Sequence, residues 1–342
     1  MAVDTAALVD DILAMPDHID DAMWRAESAM LQPAEAAGLV ICGMGGSAIG
    51  ADLAVAALGD TIDRPVHVIR GYDLPAWVDG RYSVICSSYS GDTEETLSCY
   101  EQATAIGAKT YVVSSGGLLS ELAHRVGVPV IGLPGILQPR ASVAYGVTSV
   151  LEVGIAVGIV RGDVRAQLRA AGGLLRELAA KWSPDASGDV LPKQLARDAF
   201  DRLTVTYGAD LTAPVAYRWK CQINENAKLP AYSGELPESN HNEISGWQGA
   251  DVTRHTAWFL RDADQHRRVR RRIELTAEVV ADAGAQSRVI DTIGDSRLER
   301  LFSAVLLGDL MSLYMAVLRG VDPSPVPLIE DFKDRLGRPA RA

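Results

Sequence analysis

Two short loops carry residues suited to binding chemistry. The first, Cys42-Gly43-Met44-Gly45-Gly46-Ser47-Ala48-Ile49-Gly50, follows an apolar run and opens a helical pattern. Its glycines allow a tight turn and close backbone approach to a ligand. The free N–H groups and dipole at a helix start favour an anion. The second loop, Ser87-Ser88-Tyr89-Ser90-Gly91-Asp92-Thr93-Glu94-Glu95-Thr96, follows Val84-Ile85-Cys86 and also opens a helix. Hydroxyls donate to phosphate oxygens without requiring a metal. A capping box between Asp92 and Glu95 accounts for those two residues. It leaves Ser87, Ser88, Ser90 and Thr93 unexplained. Two such loops, at the C-terminal ends of neighbouring parallel strands, would converge on one crevice. The reading is a phosphate site drawn from Gly45, Gly46, Ser47, Ser87, Ser88, Ser90 and Thr93.

Two nucleotide readings compete with it. No Gly-Lys-[Ser/Thr] follows the glycines, which argues against a nucleotide kinase loop. Gly43, Gly45 and Ala48 fit the Gly-x-Gly-x-x-Gly/Ala dinucleotide pattern. The acidic ribose ligand is due near position 70, which is Arg70. An arginine suits a 2′-phosphate, so an NADP-dependent dehydrogenase remains an alternative.

These loops need a parallel sheet to hold them. Leu39–Cys42, Val66–Ile69, Val84–Cys86, Thr110–Val113 and Val128–Ile131 are short apolar runs, most of them separated by helical segments, notably 93–106 and 118–125. Alternation of this kind predicts an α/β fold with helices on both faces of a parallel sheet. A helix over 5–30, capped at Asp4 or Thr5, precedes it. An apolar helix over 141–160 and an amphipathic one over 164–181 follow the Pro134/Pro139 loop. Residues 182–189, with Ser183, Pro184, Asp185, Ser187 and Gly188, read as a linker. A second αβ series has strands near 203–206, 256–260 and 288–290. Its helices cover 213–229 and 296–318, and a terminal helix carries Lys333. The expectation is two doubly wound halves, 1–182 and 189–342.

Composition limits the partners. The 342 residues include 33 basic and 44 acidic side chains, a formal net charge of -11. Such a surface repels nucleic acid and anionic membranes unless a local patch reverses the field. The basic run His266–Arg272 is such a patch, but Val269, Ile273 and Ala277 fall on one helical face, with the arginines mostly elsewhere. A solvated helix face explains it. No run approaches 18 apolar residues free of charge, so no membrane span is expected. The acidic N-terminus lacks the pattern of a signal peptide. Cys42, Cys86, Cys99 and Cys221 form no Cys-x-x-Cys pair and read as reduced cytoplasmic thiols. The histidines lack metal-ligand spacing. No metal or other cofactor is called for.

Gly45-Gly46-Ser47 with Ser87-x-x-Ser90-Gly91-Asp92-Thr93 resembles the phosphosugar-binding sugar isomerase (SIS) domain, a flavodoxin-like fold. The second half narrows the likeness. Asn224-Glu225-Asn226-Ala227-Lys228 and Ser239-Asn240-His241-Asn242-Glu243-Ile244 resemble the bifunctional phosphoglucose/phosphomannose isomerase family. Gln138-Pro139-Arg140-Ala141 and Lys333 match its layout, and the likeness covers nearly the whole chain. It implies interconversion of fructose 6-phosphate with glucose 6-phosphate and mannose 6-phosphate. It also implies a dimer in which the partner supplies His241.

Aldose–ketose isomerisation needs an anchored phosphate, a ring-opening group, one base between C1 and C2, and stabilisation of an enediol(ate). On the residues alone Glu225 reads as a helix-surface glutamate. The resemblance makes it the base, with Glu235, Glu238 and especially Glu243 as competitors. His241, in a polar run, is the ring-opening group, because imidazole exchanges protons near neutrality. Arg140 would stabilise the enediolate oxygen or hold a water. Lys333 would approach the sugar if the C-terminal segment folds back over the crevice. A non-catalytic phosphosugar sensor on the same fold would keep the hydroxyl loops and gain nothing from Glu225.

Overall fold

The computed structural model describes residues 6–249 and 251–337. The cap expected at Asp4 or Thr5 lies outside them. The first helical stretch is divided into α1 (Ala6–Leu13) and α2 (Met15–Ser28). Pro16 explains the restart, since proline lacks an N–H and suits only the first turn of a helix.

Next come β1 (Leu39–Gly43), α3 (Gly45–Leu58), β2 (Val66–Ile69), β3 (Ser83–Ser87), α4 (Glu94–Ala105), β4 (Lys109–Ser114), α5 (Gly117–Val126) and β5 (Val130–Gly132). The strands pair in parallel in the order β2-β1-β3-β4-β5. Every residue of β1 and β3 is buried, as continuous apolar runs in a sheet covered on both faces should be. A turn at Pro139–Ser142 leads into α6 (Val143–Ala156), followed by α7 (Val164–Trp182).

The second half contains α8 (Leu191–Asp198), β6 (Leu203–Gly208), α9 (Ala213–Gln222), β7 (Ala231–Glu235), β8 (His255–Arg261), α10 (Arg267–Asp282), β9 (Gln286–Asp291), α11 (Arg297–Arg319) and α12 (Pro327–Leu336). Its sheet is also parallel, in the order β7-β6-β8-β9. That repeats the first four places of the first sheet. Helix α8 and strand β7 escape the sequence reading. Strand β7, Ala-Tyr-Ser-Gly-Glu, has no β-branched residue and lies at a sheet edge. The basic run opens α10, which buries Ile273, Thr276, Ala277 and Val280 and leaves Arg267, Arg268, Arg270 and Arg271 exposed.

The largest apolar cluster draws side chains from α2, α3, α6, α7, α9 and α11 and from strands of both sheets. Smaller clusters cover the outer faces, one under α4 and α5 and one under α10. Helix α11 is apolar and long enough to cross a membrane, but its apolar window is 83% buried, so its composition is that of a core helix.

Candidate active site

Strands β1 and β3 are adjacent, with Gly43 opposite Ser87, so the two Gly/Ser loops leave the sheet side by side. The chain order reverses here, with β2 beyond β1 and β4 beyond β3. Such switch points in doubly wound sheets hold ligands. Neither α3 nor α4 has a side-chain cap at its N-terminus, and both dipoles are directed at the loops. Ser88 Oγ and Thr93 Oγ1 are 2.8 Å apart, and the Gly91 N–H donates to Ser88 Oγ at 3.1 Å. Ser87 and Ser88 are buried, Ser47 and Thr93 half-buried, and Ser90 exposed.

The expected capping box between Asp92 and Glu95 does not form. Asp92 Oδ1 instead accepts the Leu118 N–H at 2.9 Å, capping α5. The hydroxyl loop is thereby fastened to its neighbour. Gly91 makes this possible: its φ is +79°, and a Cβ there would lie 1.9 Å from the Gly116 carbonyl oxygen. Gly46 has a related role, since a Cβ on it would lie 3.3 Å from the Pro139 carbonyl oxygen. The first loop therefore abuts the turn that carries Arg140.

Arg140 is buried, 5% exposed, and its fork is almost wholly committed. Nε donates to Asn226 Oδ1 at 2.7 Å. Nη2 donates to the carbonyls of Pro323 at 2.7 Å and Ser324 at 3.2 Å. Nη1 donates to Gln138 Oε1 at 3.4 Å and faces Glu225 Oε2 at 3.6 Å. Burial lowers the Arg140 pKa from its usual value, and the Glu225 carboxylate opposes that shift.

Glu225 is placed by a departure from the expected helix. The pattern over 213–229 is α-helical only to Gln222. A π-helical turn, Ile223–Ala227, follows and ends at Lys228, in left-handed conformation with φ +54°. Such turns re-aim side chains at functional sites. This one directs Asn226 inward, where its Nδ2 donates to Ser312 Oγ at 2.8 Å. Ser312 in turn donates to the Asp309 carbonyl at 2.8 Å. Asp309, fully buried in α11, accepts from Arg218 Nε at 3.0 Å and Nη2 at 2.7 Å, and from Gln222 at 2.8 Å. Burial raises the Asp309 carboxyl, against the pull of Arg218 and Gln222. Arg218 Nη2 also donates to the Arg140 carbonyl at 2.8 Å. One polar network thus fixes both Arg140 and the Glu225 turn. Asn226, Arg218, Gln222, Ser312 and Asp309 were not singled out from sequence. A carboxylate inside the apolar pattern of α11 was the available signal.

His241 is exposed, at the end of a short turn, Glu238–His241, after β7. Its neighbours are tied down: Asn240 donates to Thr276 at 2.8 Å and Asn242 to Glu238 at 3.1 Å. Among the described residues, no hydrogen bond or ion pair joins His241 to Arg140, Glu225 or the hydroxyl loop. Lys333 is also exposed, on a helix that buries none of its residues. The chain therefore brings Arg140 to Glu225 and to the first Gly/Ser loop, while among the described residues His241 and Lys333 make no hydrogen bond or ion pair with them. Arg70 pairs with Asp52 on α3, which leaves it committed where a nucleotide 2′-phosphate would need it free. After β8 of the second sheet, Arg300 of α11 binds Asp262 at 2.9 Å and pairs with Asp264. Among the described residues, no group of three or more His, Cys, Asp or Glu side chains is disposed to hold a metal ion.

Residues 189–336 match the family model of the bacterial phosphoglucose isomerase C-terminal SIS domain. A hypothetical protein of Thermus thermophilus superposes with a TM-score of 0.76 at 15% identity, covering 96% of this chain and 90% of that one. The fold and the matched family define the class as phosphosugar isomerases of the SIS type. Curated relatives narrow the class. The bifunctional phosphoglucose/phosphomannose isomerase of Caldicellulosiruptor bescii is 39% identical over 302 residues, 87% of this chain and 89% of that protein. That of Aquifex aeolicus is 36% identical, over 89% and 91%. The chain belongs to the bifunctional phosphoglucose/phosphomannose isomerase family.

Proposed function

We propose that the chain interconverts fructose 6-phosphate with glucose 6-phosphate and mannose 6-phosphate, without a metal, through an enediol(ate). The observation that carries this reading is the Arg140–Glu225 pair beside the hydroxyl loops. A carboxylate base and a cation for the intermediate stand next to an anion site. Gly45, Gly46, Ser47, Ser87, Ser88, Ser90 and Thr93 would hold the 6-phosphate, with the N-termini of α3 and α4 adding backbone donors.

Glu225 would take the proton from C2 of the aldose and return it to C1, the reverse path serving the ketose. Its carboxylate is 33% exposed, so substrate has access. The buried Arg140 guanidinium would face the oxygen that becomes negative in the enediolate, where low polarity strengthens the attraction. Carbon 2 is planar in that intermediate, so protonation from its two faces leads to the two aldoses.

His241 would open the sugar ring in the partner's site. Its exposure, with no hydrogen bond or ion pair to Glu225 among the described residues, supports a homodimer with shared sites. Lys333 would join the sugar once α12 is seated in the assembly.

The test is Glu225→Gln. Turnover should fall by roughly 10²- to 10⁴-fold, the usual contribution of a positioned base, while titration calorimetry still records fructose 6-phosphate binding. Wild-type turnover in this variant would remove Glu225 as the base. Loss of binding alone would favour a sugar-holding role.

A further inference from the structure

The segment Asp322-Pro323-Ser324-Pro325, between α11 and α12, is held against the Glu225 turn by two cations. Arg140 Nη2 donates to the carbonyls of Pro323 and Ser324. Lys228 Nζ donates to Pro323 at 3.1 Å, to Pro325 at 2.6 Å and to the carbonyl of Glu225 itself. The three ammonium protons thus meet three backbone carbonyls. Pro323 and Pro325 have no N–H of their own, so the strap presents mainly acceptors to these cations.

Arg140 would otherwise have a different preference. A guanidinium beside a carboxylate forms a two-pronged pair wherever geometry allows. Here Nε and Nη2 are occupied by Asn226 and the strap, and only Nη1 faces Glu225, at 3.6 Å. A carboxylate gripped by both prongs would be a poor proton acceptor.

We infer that Lys228 is a positioning residue: it pins the 322–325 strap to the Glu225 turn and so holds the Arg140 fork off the Glu225 carboxylate. The inference rests on Glu225 being the base. Geometry makes Lys228 suited to the role. It ends the π turn at a positive φ, so its stem starts beside Glu225 and its tip reaches the strap. Burial and the neighbouring Arg140 charge draw its ammonium below the usual lysine value, and Glu225 and Asp322 oppose them.

The test is Lys228→Met, which keeps the stem and the backbone burden of a non-glycine residue. Expected is a fall in kcat of about 10- to 100-fold, the scale of a small misplacement in an active site. The KM for fructose 6-phosphate should stay close to wild type, because the hydroxyl loops are untouched. Amide exchange in the peptide spanning 319–337 should accelerate. Lys228→Arg should recover most of kcat. Pro325→Gly, which loosens the strap at a second point, should give the same kcat-selective loss. Wild-type kcat in folded Lys228→Met or Pro325→Gly would overturn the inference, as would a rise in KM at unchanged kcat. So would equal losses in the Arg and Met variants with unchanged exchange. Glu225→Gln measured beside them separates the two claims: if it keeps turnover, the base assignment has failed, whatever Lys228 does.

Discussion

Asn226 links the Arg140 guanidinium to helix α11. Its carbonyl takes the Arg140 Nε–H and its amide reaches Ser312 on α11, so it sets the angle of the guanidinium. Asn226→Ala would leave a buried donor on Arg140 without a partner, a cost of about 1–3 kcal/mol. The expected outcome is a lower melting temperature and a kcat reduced roughly 10- to 100-fold, since the positioned cation is lost from the intermediate. Calorimetric melting and steady-state kinetics on the same sample check both. Unchanged kcat would show that Arg140 finds its place without help. At this scale the sequence was legible where chemistry and neighbours coincide. Ser87 to Thr93 could be read as an anion loop because four hydroxyls exceed what helix capping needs. Asp92 was misread, because its true partner, the Leu118 N–H, belongs to another helix. Asn226 was visible only as part of a motif, since its partner lies 86 residues away.

Helix α11 is the element that joins the network. It carries Asp309 and Ser312 to the back of the Glu225 turn, and Trp219 of α9 packs where Gly308 leaves room. Asp309→Ala would leave the Arg218 charge buried and unpaired, which costs about 3–5 kcal/mol. Urea unfolding should show that loss. The double variant Arg218→Met, Asp309→Leu should regain part of it, because no uncompensated charge remains. Failure to regain any would mean that the arginine's bond to the Arg140 carbonyl matters more than its charge pair. The hydroxyl loop gives a second prediction at this scale. Gly91→Ala places a methyl against the Gly116 carbonyl at a backbone angle that disfavours it. Displacement of the loop should raise KM for the phosphosugar more than it lowers kcat. An unchanged KM would argue against the hydroxyl loop as the phosphate site.

Most elements were legible because parallel strands buried on both faces are continuous apolar runs, and β1, β3 and β4 follow that rule. Strand β7 follows edge chemistry instead, and α8 is too short and polar to stand out. The π turn was hidden because its side-chain spacing differs from that of an α-helix by one residue.

Across the whole molecule, the two sheets share an order but differ in the residues that follow their central strands. The first carries the two Gly/Ser loops at β1 and β3, while in the second Arg300 pairs with Asp262 and Asp264 after β8. The second half supplies Glu225, and the largest apolar cluster takes side chains from both halves. We propose 1–182 and 189–342 as two topological halves that fold against one core. The proposed sharing of sites between two chains is tested by complementation. Inactive Glu225→Gln and inactive His241→Ala subunits, mixed under exchange, should recover partial turnover. No recovery, with exchange verified by mass spectrometry, would mean that each chain completes its own site.

The most direct measurement follows the transferred proton. Chelator-treated protein is incubated with fructose 6-phosphate in heavy water, and the products are resolved by carbon-13 NMR. The mechanism predicts glucose 6-phosphate and mannose 6-phosphate together, with deuterium at C2 in the fraction of turnovers in which the base exchanges with solvent before returning its proton. Turnover only after a divalent metal is restored, or the absence of both aldoses, would contradict it.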